Sequence, residues 1–242
     1  MSQVSPKTRD FHPSLCVCGC VRVRLKPMSK RKAPSTGIDE CGSPKAIAIS
    51  GVTSGLGKAL FEFYVSAGHK VYGCGRRESH IAHLQKSWPC ADLRVLDVLD
   101  DAAVQAWVAA IPAVELVICN AGVSPESNLN LPTWELPKHD FDSTIDINVK
   151  GVMNMIRHFL PKLIKQRTGV VVALSSGLGR SSNPTHGAYC ASKFAIEGLM
   201  KSVAQALPEP LVAVPLAPGV IATEMQKGEG DGEILDWVKV AA

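Results

Sequence analysis

Between Lys45 and Ala67 a strand-like run, a glycine-rich turn and an amphipathic segment follow one another without a break. Lys45-Ala-Ile-Ala-Ile49 is short and apolar. Ser50-Gly51-Val52-Thr53-Ser54-Gly55-Leu56-Gly57 places three glycines in one loop, and Lys58 to Ala67 (KALFEFYVSA) repeats apolar residues at helical spacing before Gly68 ends it. Such a loop turns a strand into a helix whose first N–H groups and positive dipole end face an anion. Gly51 permits the tight turn. Gly55 and Gly57, flanking Leu56 and next to Ser54, let the backbone approach a pyrophosphate. The spacing is G-x-x-x-G-x-G, not the G-x-G-x-x-G of a generic dinucleotide fold.

The rest of the chain repeats this alternation. Strands are expected at 45–50, 70–75, 92–97, 114–119, 169–175 and 210–216, and helices near 56–67, 78–87, 100–110, 140–165 and 188–206. Strand–helix alternation implies an α/β fold: a doubly wound, Rossmann-type parallel sheet with helices on both faces. With 242 residues, 46% of them hydrophobic, the chain can bury one sizeable core. A cleft would open at the carboxyl edge of the strands.

The chemistry is expected at Ser176 to Lys193, SGLGRSSNPTHGAYCASK. Tyr189 and Lys193 are four apart and share one helix face. A free phenol titrates near pH ~10 and exchanges protons poorly at neutrality, but a neighbouring ammonium favours the phenolate. Ser176, at the end of the preceding strand, can hydrogen-bond a carbonyl oxygen. The three groups could protonate a carbonyl while a nicotinamide cofactor supplies the hydride that no side chain carries. Taken alone, Tyr-x-x-x-Lys is a weak signal, since any amphipathic helix can contain it.

Cofactor choice is readable after the second expected strand. An NAD enzyme would carry an Asp or Glu there for the ribose 2′-hydroxyl. This chain has Gly75, Arg76 and Arg77. A guanidinium fork suits a 2′-phosphate, so NADP(H) is expected, with Arg76 as the contact. The alternative makes both arginines a solvated helix start.

SGVTSGLG at 50–57, LDV at 96–98, CNAG at 119–122, IDINVKG at 145–151, LSSG at 174–177, YCASK at 189–193 and APGVIATE at 217–224 together resemble the short-chain dehydrogenase/reductase superfamily. Within it, FDSTIDINVKGVMNMIRHFLP and YCASKFAIEGL look most like plant NADPH-dependent pterin aldehyde reductases. The resemblance implies Tyr189 as general acid, Lys193 as the group that lowers its pKa and holds the nicotinamide ribose, and Ser176 as the group that orients the carbonyl. It implies Asn148 as a fourth catalytic residue positioning a water in a proton relay. It also implies cofactor contacts from Asp97 and Val98, from Asn120, Ala121 and Gly122, from Tyr189 and Lys193, and from Pro218, Gly219 and Thr223. Ser50 stands where the family usually has Thr; both carry a hydroxyl. The function implied is NADPH-dependent reduction of an aldehyde or ketone, a pterin aldehyde among the candidates. A truncated NADP(H)-binding protein without turnover is the alternative. The family's habit also implies a homo-oligomer, dimer or tetramer, through the long helices near 140–165 and 188–206.

Several features stand outside this pattern. Residues 1–44 hold eight Lys or Arg against three Asp or Glu, a surplus of +5, which leaves the remaining residues near −1 of the chain's +4. They read as a flexible basic extension, and 45–242 as the NADP(H)-binding domain. A cytoplasmic location is expected, or plastid or mitochondrion if the extension is a transit peptide. No apolar run approaches the roughly 18–20 residues a membrane span needs, and the expected partner is a small carbonyl compound, not a nucleic acid. Cys16, Cys18 and Cys20 lack a second pair at finger spacing, so no metal is expected. Ser175 reads as structural, and Arg180 as either a surface or a substrate residue. Trp134 falls where family loops border substrate. Compared with the superfamily pattern the chain ends early, after Asp236-Trp-Val-Lys-Val-Ala-Ala242, so the family's last strand is expected to be lacking.

Overall fold

The computed structural model describes residues 43–125 and 129–219. The expectations placed on the basic extension, on Thr223 and on the early end of the chain lie outside those residues. Within them the elements run β1 (Ala46–Ser50), α1 (Gly55–Ser66), β2 (Lys70–Gly75), α2 (Glu78–Ser87), β3 (Asp92–Val95), α3 (Asp101–Ala110), β4 (Leu116–Cys119), α4 (Lys138–Ile145), α5 (Val152–Gln166), β5 (Val170–Leu174), α6 (Gly187–Ala206) and β6 (Val212–Leu216). All neighbouring strands pair in parallel, in the order β3-β2-β1-β4-β5-β6.

Side-chain alternation builds the two faces. In β1, Ile47 and Ile49 point into one core and Ala48 into the other; in β4, Ile118 joins the first while Val117 and Cys119 join the second. The first core packs α1 and α2 on the sheet through Leu60, Phe61, Ile81 and Leu84. The second packs α3, α5 and α6 through Trp107, Met155, Phe159, Ile196 and Met200. The Trp107 and Phe159 rings meet edge to face at 5.6 Å. Cys74 and Cys119 lie fully buried, and burial pushes both thiols up to about 12, out of reach of neutral-pH redox chemistry.

The strand order reverses direction between β1 and β4, so the connections from these two strands leave to opposite sides and open a crevice at their carboxyl ends. The helix expected at 140–165 is not one regular helix. A six-residue π-helical segment, Asp146–Gly151, joins α4 to α5. No helix among the described residues is long and apolar enough to cross a membrane.

Candidate active site

One cleft of about 500 Å³ runs along the carboxyl edge from Arg76 to Lys193. Its lining includes every described residue expected at the cofactor site, together with Ser176, Tyr189 and Lys193. Asn148 is not in the lining.

At the β1 end the cleft is shaped mainly by backbone. Gly51 and Gly55 have φ of 76° and 53°, left-handed values that favour glycine. Ser50, buried, accepts the N–H groups of Asn120 and Ala121 on its Oγ, both at 3.1 Å. The Asn120 amide nitrogen donates to Ser50 O at 2.9 Å and Gly51 O at 3.2 Å. A Cβ on Gly57 would stand 2.2 Å from both that amide nitrogen and Gly51 O. Gly57 is therefore required first by the protein's own loop, before any ligand approaches. Ser54 begins α1 in extended conformation without a side-chain cap, and no acidic residue occupies the first turn. The helix presents open N–H groups to the cleft, which fits an anionic pyrophosphate.

The arginines after β2 separate in role. Arg77 donates from Nε and Nη2 to Thr53 Oγ1 at 3.3 and 3.1 Å, bracing the glycine loop. Arg76 is exposed, with Nη1 3.6 Å from Asp97 Oδ2. It stands over the end of the cleft where the acidic residue of an NAD site would be expected.

At the α6 end, side chains do the shaping. Lys193 is 6% exposed; its Nζ lies 5.3 Å from the centre of the Tyr189 ring and donates to Leu174 O at 2.7 Å. Burial lowers its pKa from 10.5 to about 8, so the ammonium remains charged at neutral pH. Ser176 Oγ accepts the Leu178 N–H at 3.2 Å as cap of the short turn Gly177–Gly179. That bond uses an acceptor site and leaves the hydroxyl hydrogen to donate.

Asn148 sits in the π-helical segment, 1% exposed, with its amide fully engaged. Its Oδ1 accepts from Val123 N at 2.8 Å, and its Nδ2 donates to Val123 O at 2.9 Å and Ser192 Oγ at 3.0 Å. Ser192 in turn donates to Tyr189 O at 2.8 Å. The side chain thus ties the loop after β4 to the helix carrying Tyr189. Asn120 likewise commits its amide nitrogen to the loop backbone.

Sequence reading missed three contributors. Asn154 donates to Val98 O at 2.9 Å and holds the floor beside the Asp97–Val98 pair; a polar residue in an amphipathic helix carries no signal of such a partner. Glu197 receives Ser175 and Arg180 beneath the Ser176 turn. His186 lines the cleft three residues before Tyr189. Asn183 Oδ1 accepts the Thr185 N–H at 2.9 Å, and His186 Nδ1 lies 3.2 Å from that oxygen and 3.0 Å from Thr185 Oγ1. Trp134, on the stretch where family loops border substrate, is 84% exposed in a short turn whose Thr133 donates to Pro184 O at 3.1 Å. No group of metal-ligating side chains occurs among the described residues.

Comparison with known proteins agrees with this architecture. The chain is 38% identical over 188 residues to an NADPH-dependent pterin aldehyde reductase of Arabidopsis thaliana, covering 75% of this chain and 76% of that protein. It is 31% identical over 192 residues to a Sphingomonas 2-dehydro-3-deoxy-L-rhamnonate dehydrogenase (NAD(+)), covering 78% and 73%. A short chain dehydrogenase from Shigella flexneri solved in complex with NADP superposes with a TM-score of 0.68 at 27% identity, over 75% of this chain and 80% of that one. A family model described as short chain dehydrogenase matches residues 45–233. The chain belongs to the short-chain dehydrogenase family of oxidoreductases.

Proposed function

We propose that the protein is an NADPH-dependent reductase of small carbonyl compounds, with a pterin aldehyde as the leading substrate. The observation that carries this reading is the convergence of Tyr189, Lys193 and Ser176 on one cleft whose far end bears Arg76. The comparison with the Arabidopsis reductase supports the substrate class.

The cofactor fits the residues present. The uncapped start of α1 would receive the pyrophosphate, the loop Asn120–Gly122 and the Asp97–Val98 pair would flank the adenosine, and Pro218–Gly219 would border the nicotinamide end. Arg76, with no carboxylate at Gly75, favours a 2′-phosphate. Bound NADPH supplies the hydride.

The chain's own groups handle the oxygen. Ser176 donates its free hydroxyl hydrogen to the carbonyl oxygen and orients it. Tyr189 gives its phenolic proton to that oxygen as the alkoxide forms. Lys193, charged at neutral pH and beside the ring, stabilises the phenolate left behind. Asn148 keeps the Tyr189 turn in place through Ser192. In this reading α5 and α6 also form the oligomer interface, where Phe194 is half-exposed; sedimentation velocity checks it.

The test is NADPH oxidation by purified protein with pterin-6-aldehyde and a few generic aldehydes and ketones, run in parallel with NADH. Turnover of an aldehyde with NADPH preferred supports the proposal. NADPH binding without turnover of any carbonyl would replace it with a nucleotide-binding protein.

A further inference from the structure

Glu197 is a carboxylate in a place where carboxylates are rare. Its side chain is 7% exposed, one helical turn beyond Lys193 on α6. Oε1 accepts the Ser175 hydroxyl at 2.7 Å and Arg180 from Nε and Nη2, each at 3.2 Å. Lys201 approaches Oε2 only at 3.9 Å, from an exposed position. The two residues that Oε1 receives flank Ser176, one immediately before it and one just after the turn it caps.

Nothing else described ties both flanks to α6 through side chains. The turn lies flush on the helix: a Cβ on Gly179 would meet Ser175 Oγ at 2.8 Å, Lys193 O at 3.0 Å and Glu197 Cγ at 3.2 Å. The helix so gripped is the one bearing Tyr189 and Lys193. A single buried oxygen therefore ties both flanks of the Ser176 turn to the helix that carries Tyr189. Burying a charge is costly unless it is paired and hydrogen-bonded, and what this pairing fixes is the relation between two reacting groups on different elements.

We propose that Glu197 is a positioning residue that holds Ser176 in register with Tyr189 and Lys193. The proposal rests on the carbonyl-reductase reading of the same site. It assigns Ser175 and Arg180 to the same device: Ser175 as the inner tie and Arg180, 61% exposed, as the outer one.

The test compares Glu197→Leu, which fills the volume but accepts no hydrogen bond, with Glu197→Gln, whose Oε1 still accepts from Ser175 and Arg180. With NADPH and pterin-6-aldehyde, Glu197→Leu is expected to lose roughly 30-fold in kcat, as displaced catalytic groups do. Its Kd for NADPH should stay within about twofold of wild type, because the glycine loop is untouched, and Glu197→Gln should keep kcat within about threefold. Backbone amides of 175–180 should exchange with deuterium about tenfold faster in Glu197→Leu, with α1 unchanged. If Glu197→Leu does not fold, Arg180→Met carries the same comparison from the exposed side. Unchanged kcat, or loss of NADPH affinity in step with kcat, overturns the proposal. If the wild-type protein reduces no carbonyl, the reductase reading fails, and amide exchange decides on Glu197 alone: faster exchange at 175–180 keeps the tie, unchanged exchange removes it.

Discussion

At the β1 end of the cleft the shaping atoms belong to the backbone and to residues with little or no side chain, whereas at the α6 end they belong to long polar side chains held in the interior. Gly51, Gly55 and Gly57 form the first end, stitched by Ser50 and Asn120 and braced by Arg77. Lys193 lines the second with Ser176 and Tyr189, and Glu197, Asn148 and Ser192 are buried behind them. In the proposed reading the difference follows from what each end does. Receiving an anion needs close approach and aligned N–H groups, which side chains would obstruct. Moving a proton needs charge and donors at fixed points, which only side chains supply. The two ends should accordingly fail in different ways when altered.

The largest failure is expected from Gly57→Ala. The new Cβ would sit 2.2 Å from Gly51 O and from the Asn120 amide, and backbone cannot yield cheaply. Overpacking of this kind costs on the order of 3 kcal/mol or more. Titration of NADPH fluorescence should show at least about a hundredfold loss of affinity. Tight NADPH binding by this variant would mean that the loop is more compliant than its contacts imply.

Lys193 offers a comparison by pH. Its pKa in the folded protein is about 8, below the ordinary 10.5, so the folded state releases the proton first as pH rises. Between those values the unfolded chain binds more protons, and stability attributable to Lys193 increases with pH. Below about pH 8 the buried charge is a cost in full. Wild type should therefore gain about 3 kcal/mol on Lys193→Met between pH 8 and 10.5, whatever their offset at neutrality. Denaturant midpoints across that range measure it, and parallel curves would place the ammonium in solvent.

A smaller effect is expected at Arg76. Arg76→Ala should weaken NADPH binding by roughly 10- to 100-fold, the contribution of a charge-assisted contact, and leave NADH nearly unchanged. Equal weakening of both would make Arg76 a structural partner of Asp97 instead. The smallest is Ser50→Ala, which strips the acceptor from the Asn120 and Ala121 amides. It should lower stability by about 1–2 kcal/mol, read as a shift in urea midpoint, with kcat unaffected.

The same contrast governs what could be read in advance. The glycine loop is a local device, so its strand, turn and helix stood in the sequence in order, and the strands ended within a few residues of expectation. Tyr189 and Lys193 were legible because helical periodicity places them on one face. The π-helical segment was not. Apolar spacing runs through Asp146–Gly151 as in any helix, and the widened i→i+5 bonding coincides with bonds between Asn148 and both Val123 and Ser192, partners on other elements. Glu197 was hidden for a related reason: a charge in a helix reads as solvated until the turn that buries it is in place. The clamp of Asn120 on the glycine loop likewise joins strands that only the folded sheet brings together.

In the proposed reading Tyr189 acts on the proton at one end of the cleft, while the glycine loop shapes the other. Tyr189→Phe removes one oxygen from that end and leaves the sequence of the glycine loop unaltered. Kd for NADPH and kcat with an aldehyde, measured on the same preparation, should diverge: binding within about twofold of wild type, turnover down by roughly a thousandfold, within the range general acid catalysis supplies. Turnover equal to wild type in that variant would contradict the account.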